Sequence, residues 1–168
     1  MLSIITFDES DKWDSIVKSF KDYDVYYLSG YTKAFRIHGD GEPILIYYHD
    51  EGIRAINVVM IRDIAMDKKF KDKIETQSLF DITTPYGYGG FIIEGILNES
   101  NLKKLNEEYR DYCRSKNIIS EFVRFHPVLE NSKINSGIYE VIDLGKTITM
   151  KLISKEQIWN DLSSKNRN

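Results

Sequence analysis

Two rhythms of apolar and polar positions run along this chain, and each marks an element. Trp13, Ile16, Val17 and Phe20 recur at i, i+3, i+4 and i+7, the stripe of an amphipathic helix that Ser10 is placed to cap. Leu102, Leu105, Tyr109, Tyr112 and Cys113 repeat the helical rhythm over residues 99–116, and Asn117 suits the end of that helix. Elsewhere the apolar runs are short, β-branched and aromatic. Residues 43–48 and 53–64, separated by His49-Asp50-Glu51-Gly52, predict an antiparallel hairpin with a four-residue loop. Further strands are expected at 4–7, 118–125 and 141–152. Residues 29–35, SGYTKAF, read as helical after a short segment at 25–28, and His38-Gly39-Asp40-Gly41 reads as a turn. Ser154-Lys155-Glu156-Gln157 has the form of a capping box for a last helix bearing Ile158, Trp159 and Leu162.

Helices and strands are thus intermixed, with neighbouring antiparallel strands and no regular βαβ alternation. This order predicts an α/β (α+β) fold, a mostly antiparallel sheet flanked by helices. With 168 residues, 42% of them apolar, the chain can bury one sizeable core, so a single domain is expected over 1–168. Its 23 basic and 26 acidic residues give a net charge of −3, which is no global footprint for nucleic acid or an anionic membrane. The lone Cys113 cannot form an intramolecular disulfide. No apolar run approaches the roughly 20 residues of a membrane-spanning helix, and the N-terminus lacks the pattern of a signal peptide. A cytoplasmic protein without a membrane span is the expectation.

The glycine-rich stretch at 84–95, TPYGYGGFIIEG, is the first candidate for chemistry. A phosphate loop needs a lysine followed by Ser or Thr, and a dinucleotide fingerprint needs glycines that open a helix. Here Phe91-Ile92-Ile93 follows Gly90 and favours a strand, so no helix N-terminus is available to hold a phosphate. What remains is a loop entering a strand. If it is extended, Tyr86 and Tyr88 lie on one side beside Gly89; the plain alternative is a sheet-edge bulge with packed tyrosines.

The second candidate is Glu121-Phe122-Val123-Arg124-Phe125-His126-Pro127. Strand alternation sends Arg124 and His126 to the same face, where a guanidinium fork and an imidazole can bind a carboxylate or phosphate. The competing reading has Arg124 paired with a nearby carboxylate and His126 closing the strand. His38 and His49 sit beside turns, and Cys113 belongs to a helix's apolar face. The three histidines and one cysteine show no metal-ligand spacing, so no metal is expected. Lys68, Lys69, Lys71 and Lys73 read as a solvated turn, or less favourably as a patch for an anionic partner.

In order, VYYLSGYTKAF, the hairpin, Pro85-Tyr86-Gly87-Tyr88-Gly89-Gly90, Arg124-Phe125-His126-Pro127, and Trp159 with Lys165-Asn166-Arg167-Asn168 resemble the N-terminal half of the Fem-like transferases. That family comprises two GNAT-like acyltransferase subdomains and includes enzymes that add amino acids to the peptidoglycan precursor from aminoacyl-tRNA. The resemblance implies a GNAT-like fold, an amine acceptor such as a peptidoglycan precursor, and a second GNAT-like subdomain after Asn168. Tyr86, Tyr88, Gly89, Arg124 and His126 would form an acceptor-side wall, with no catalytic residue assigned. The R/Q-x-x-G-x-G/A motif of acyl-CoA enzymes is missing, so no cofactor is expected in this chain itself. Aminoacyl-tRNA or acyl-CoA would serve the complete protein as donor. Two alternatives stay open: a single-domain acyl-CoA N-acetyltransferase, and a non-catalytic binding module that kept the fold.

Overall fold

A computed structural model describes residues 1–167. Asn168, the last residue of the Lys165-Asn166-Arg167-Asn168 marker, lies outside the described residues. The sheet is built from β1 (Leu2–Thr6), β2 (Glu42–His49), β3 (Ile53–Asp63), β4 (Phe80–Thr83), β5 (Ile92–Gly95) and β6 (Ile118–Phe122). Its order is β1-β2-β3-β4-β6, with β5 also paired to β3, so β4 and β5 lie against successive stretches of the long β3. Every pairing is antiparallel except β4 with β6. The helices are α1 (Ser10–Lys18), α2 (Ser29–His38), α3 (Glu99–Ser115), the single turn α4 (Ser132–Asn135) and α5 (Lys155–Asp161). The expected mixed, mostly antiparallel α+β architecture is present.

Side-chain alternation along β2 and β3 divides the core between the two faces of the sheet. Ile44, Ile46, Tyr48, Ala55 and Val59 pack toward Leu105 and Tyr109 of α3. Leu45, Ile56 and Val58 pack toward Trp13, Val17 and Phe20 of the first helical layer. Strands covered on both sides have no need of a polar face, which is why β2 and β3 read as continuous apolar runs. Trp13 is fully buried, and its indole N–H donates to the Tyr27 carbonyl at 2.8 Å, tying α1 to the chain that enters α2.

Several boundaries differ from expectation for local reasons. Phe7 leaves β1 and opens a 3-10 turn, Phe7–Glu9, that runs straight into α1, so Ser10 is a helical residue and its side chain caps nothing. His49 still pairs with Arg54, which shortens the hairpin loop to Asp50-Glu51-Gly52. Gly39 closes α2 in the left-handed conformation at φ +94°, and Asn117 takes φ +53° after α3. The lysines at 68, 69, 71 and 73 all lie exposed in turns.

The largest departure is at 141–152. Its alternation predicts a strand, yet the segment pairs with nothing among the described residues and stays exposed, because no strand edge runs alongside it. Helix α5 does form, with Ser154 Oγ accepting the Gln157 amide at 3.1 Å, but Trp159 remains 53% exposed where the sequence predicts an apolar packing face. No helix among the described residues is long and apolar enough to cross a membrane.

Candidate functional site

The loop between β4 and β5 is held from below and shaped by glycine. The Gly89 amide donates to the Arg124 carbonyl at 2.8 Å, continuing the β4–β6 pairing past the end of both strands as a bridge between Gly89 and Phe125. Asn131 Nδ2 donates to the Gly89 carbonyl at 2.9 Å, and Tyr27 Oη donates to the Gly90 carbonyl at 2.8 Å. The buried Asn135 brackets the next residue, accepting from the Phe91 amide at 3.1 Å and donating to its carbonyl at 2.8 Å. Gly87 at φ +115° has the Tyr26 ring where a Cβ would sit, and Gly90 at φ +88° has the Phe125 ring there. Both positions combine a left-handed backbone with no room for a side chain.

The turn at Gly87 separates the two tyrosines that an extended chain would set side by side. Tyr88 packs inward, with ring centroids 5.7 Å from Tyr26 and 5.4 Å from His126. Tyr86 points outward, 75% exposed, and its carbonyl accepts from Tyr31 Oη at 2.6 Å. The Arg124 guanidinium carbon lies 5.8 Å from the centre of the Tyr86 ring.

Arg124 and His126 also part company. His126 is only 4% exposed, and Nδ1 accepts from the amides of Val128 and Leu129, both at 3.2 Å. A ring nitrogen that accepts carries no proton, so Nε2 holds it and donates to Asp24 Oδ2 at 3.2 Å. The backbone amide of His126 is bonded in turn to Asn131 Oδ1 at 2.9 Å. Both ring nitrogens are committed to the protein, so His126 as placed fixes the loop and reaches no ligand. The predicted joint face resolves into an inward pair, half-buried Tyr88 with buried His126, and a rim pair, Tyr86 with Arg124.

The rim pair opens onto a cleft of about 280 Å³ whose other walls include Phe35, Met60 and Phe122. Arg62 and Asp40 also line it. Arg62 is already satisfied: its guanidinium forms a two-point contact with Asp81 at 2.8 and 2.6 Å, and the hydrogen bond to that carboxylate raises the pKa of the guanidinium above its ordinary value. Among the described residues, the Arg124 side chain has no carboxylate partner within salt-bridge distance, so the pairing offered as its alternative reading is not found. Sequence reasoning missed Phe35, Asp40, Met60 and Arg62, which come from α2, its following turn and β3 and carry no shared motif. It also missed Asn131 and Asn135, whose role depends on buried loop carbonyls that no local pattern reveals.

What the arrangement can do chemically is bind. A cationic fork over an aromatic ring, beside apolar walls, suits a ligand that joins an anionic group to an apolar or ring portion. Among the described residues no group of three His, Cys, Asp or Glu side chains is placed to hold a metal ion. Fold and site together define a mixed α+β protein with an arginine-bearing aromatic cleft where β4 and β6 end. Compared with protein-family models, curated proteins and solved structures, the chain matches none of them.

Proposed function

We propose that this chain is the acceptor-binding, GNAT-like part of a Fem-like acyl or aminoacyl transferase, which forms an amide on an amine acceptor such as a peptidoglycan precursor. The observation that carries the reading is Arg124: it lacks an acidic partner among the described residues, stands over Tyr86, and borders a cleft walled by Phe35 and Phe122. The motif order read from the sequence supplies the family, and the cleft supplies a place for an anion-bearing acceptor. At about 280 Å³ the cleft lies just under the usual range for a small-molecule pocket of roughly 300–1,000 Å³, which suits one portion of an extended acceptor. Amide formation by aminolysis needs an activated carbonyl and a route for the amine proton. In this proposal the chain supplies acceptor positioning, and the rest of the protein supplies the donor site.

Calorimetric titration with the soluble nucleotide-linked muramyl pentapeptide tests the proposal, with acetyl-CoA as the comparison ligand. Arg124→Ala is expected to weaken precursor binding about tenfold or more, the range for loss of one charge-assisted contact, while Arg124→Lys restores part of it. Equal affinity of wild type and Arg124→Ala, with matching unfolding curves, would refute the role given to Arg124. Tight binding of acetyl-CoA in place of the precursor would turn the reading toward an acyl-CoA enzyme.

A further inference from the structure

Two unfilled features of the molecule fit each other. The first is the segment 141–152, in which Ile142, Leu144, Ile148, Met150 and Leu152 share one side of an extended chain, with Lys146 the sole interruption. Val141, Asp143, Gly145, Thr147, Thr149 and Lys151 share the other side, polar apart from Val141 and the glycine. This is the pattern of a half-buried strand, yet Leu144 is 92% exposed and Ile148 94% exposed, and the backbone pairs with nothing among the described residues. The second feature is the outer edge of β6, which ends the sheet and has β4 as its neighbour on the inner side. Sheet edges are commonly guarded by lysine, proline or a bulge. The sequence of β6, IISEF, has no lysine or proline, although its register against β4 slips by one residue at Ile119; Glu121 is turned inward to Tyr109 and Tyr139, and Ile119 and Phe122 stand exposed.

We propose that two copies of this chain associate by strand exchange, residues 141–152 of each adding to the open β6 edge of the other. One copy alone leaves the β6 edge and the strand both unfilled, whereas two copies fill all four elements and close this contact with a two-fold axis. Pairing within one copy is disfavoured by connection length. Tyr139 is anchored, its hydroxyl donating to Glu121 at 3.0 Å and its ring 5.7 Å from Phe125, and only Glu140 precedes the segment. Folding back would therefore spend part of the apolar row on a reversal. The area is adequate: each exchanged strand would cover on the order of 500 Å² of its own apolar surface and a similar area around the edge. Two such contacts total roughly 2,000 Å², the size of a stable dimer interface. The strand edge and the acceptor cleft share one residue, Phe122, which ends β6 and borders the cleft.

Sedimentation velocity over a concentration series, with amide hydrogen exchange on the same samples, tests it. The expected result is a species of twice the monomer mass, with the outward-facing amides of β6 protected in it. Leu144→Lys combined with Ile148→Lys alters side chains exposed in the single copy, so folding is expected to persist. That variant should sediment as a monomer and lose the β6 protection. A wild type that stays monomeric at every concentration overturns the proposal, whether β6 is open or protected from within its own chain. A dimer unchanged by the double substitution overturns it too.

Discussion

Glu121 should make the stability of this protein fall as the pH rises toward neutrality. The residue points from β6 toward α3, where its carboxyl accepts the hydroxyls of Tyr109 at 2.8 Å and Tyr139 at 3.0 Å. Asn57, buried on β3, donates to the same Tyr139 hydroxyl at 3.4 Å. Burial pushes the carboxyl up from its ordinary 4.5 to about 7, and the hydrogen bonds from the two tyrosines and Asn57 hold back a larger rise. The folded state therefore binds the proton more tightly than the unfolded chain does. Its stabilising contribution is fully present below the unfolded value near 4.5 and is lost as the pH climbs through about 7. At 1.36 kcal/mol per pH unit, a gap of this size corresponds to about 3 kcal/mol. Glu121→Gln keeps an acceptor for the tyrosines but cannot ionise, so it should lack this component. Urea unfolding of both proteins from about pH 5 to about pH 8 isolates the term, because every other titrating group is common to the two. Relative to the variant, wild type should lose about 2–3 kcal/mol across that range. Parallel stability profiles would refute the assignment of Glu121 as a carboxyl that ionises against its burial.

Two further substitutions test the support beneath the cleft. Asn135→Ala removes the partner of the buried Phe91 amide and the shorter of the two bonds to its carbonyl, which keeps only Asn131 Nδ2 at 3.4 Å, and should cost about 2–4 kcal/mol in urea unfolding; a cost under about 0.5 kcal/mol would show that the bracket is dispensable. Gly90→Ala places a methyl group against the Phe125 ring at a left-handed φ of +88° and should destabilise by about 1–3 kcal/mol, whereas Gly137→Ala, with open space around it, should be close to neutral.

The elements that were legible in the sequence are those whose burial follows one local rhythm. The stripe of α1 and that of α3 each meet one face of the sheet, and β2 and β3 are buried on both faces, so their patterns are strong. In the segment 141–152, alternation suits the stretch to a sheet but carries no information about whether an edge is within reach. The site was half legible for a related reason. Tyr86 and Arg124 do meet, but alternation counted from an ideal strand could not see that Gly87 turns the chain between the tyrosines or that Asp24, about a hundred residues away, captures His126. Long-range polar contacts of that kind leave no periodic trace.

The division of labour between the two pairs bears on how the cleft would bind. A ligand that must order a loop loses part of its binding energy to that ordering, at about 1–2 kcal/mol for each backbone residue fixed. Here the carbonyls of Gly89, Gly90 and Phe91 are already bonded to Asn131, Tyr27 and Asn135, and Tyr88 is already packed on Tyr26 and His126. The exposed Tyr86 ring and the Arg124 side chain are therefore presented by a backbone that has little left to order. His126 contributes to this without touching a ligand: it receives two amides, donates to Asp24, and so joins the chain after β6 to the entry of α2. Substituting it should disturb the rim through the loop, which sets its effect apart from that of Arg124→Ala. Loss of His126 should lower stability and cleft binding together, whereas loss of Arg124, which has no acidic partner to abandon among the described residues, should lower binding alone.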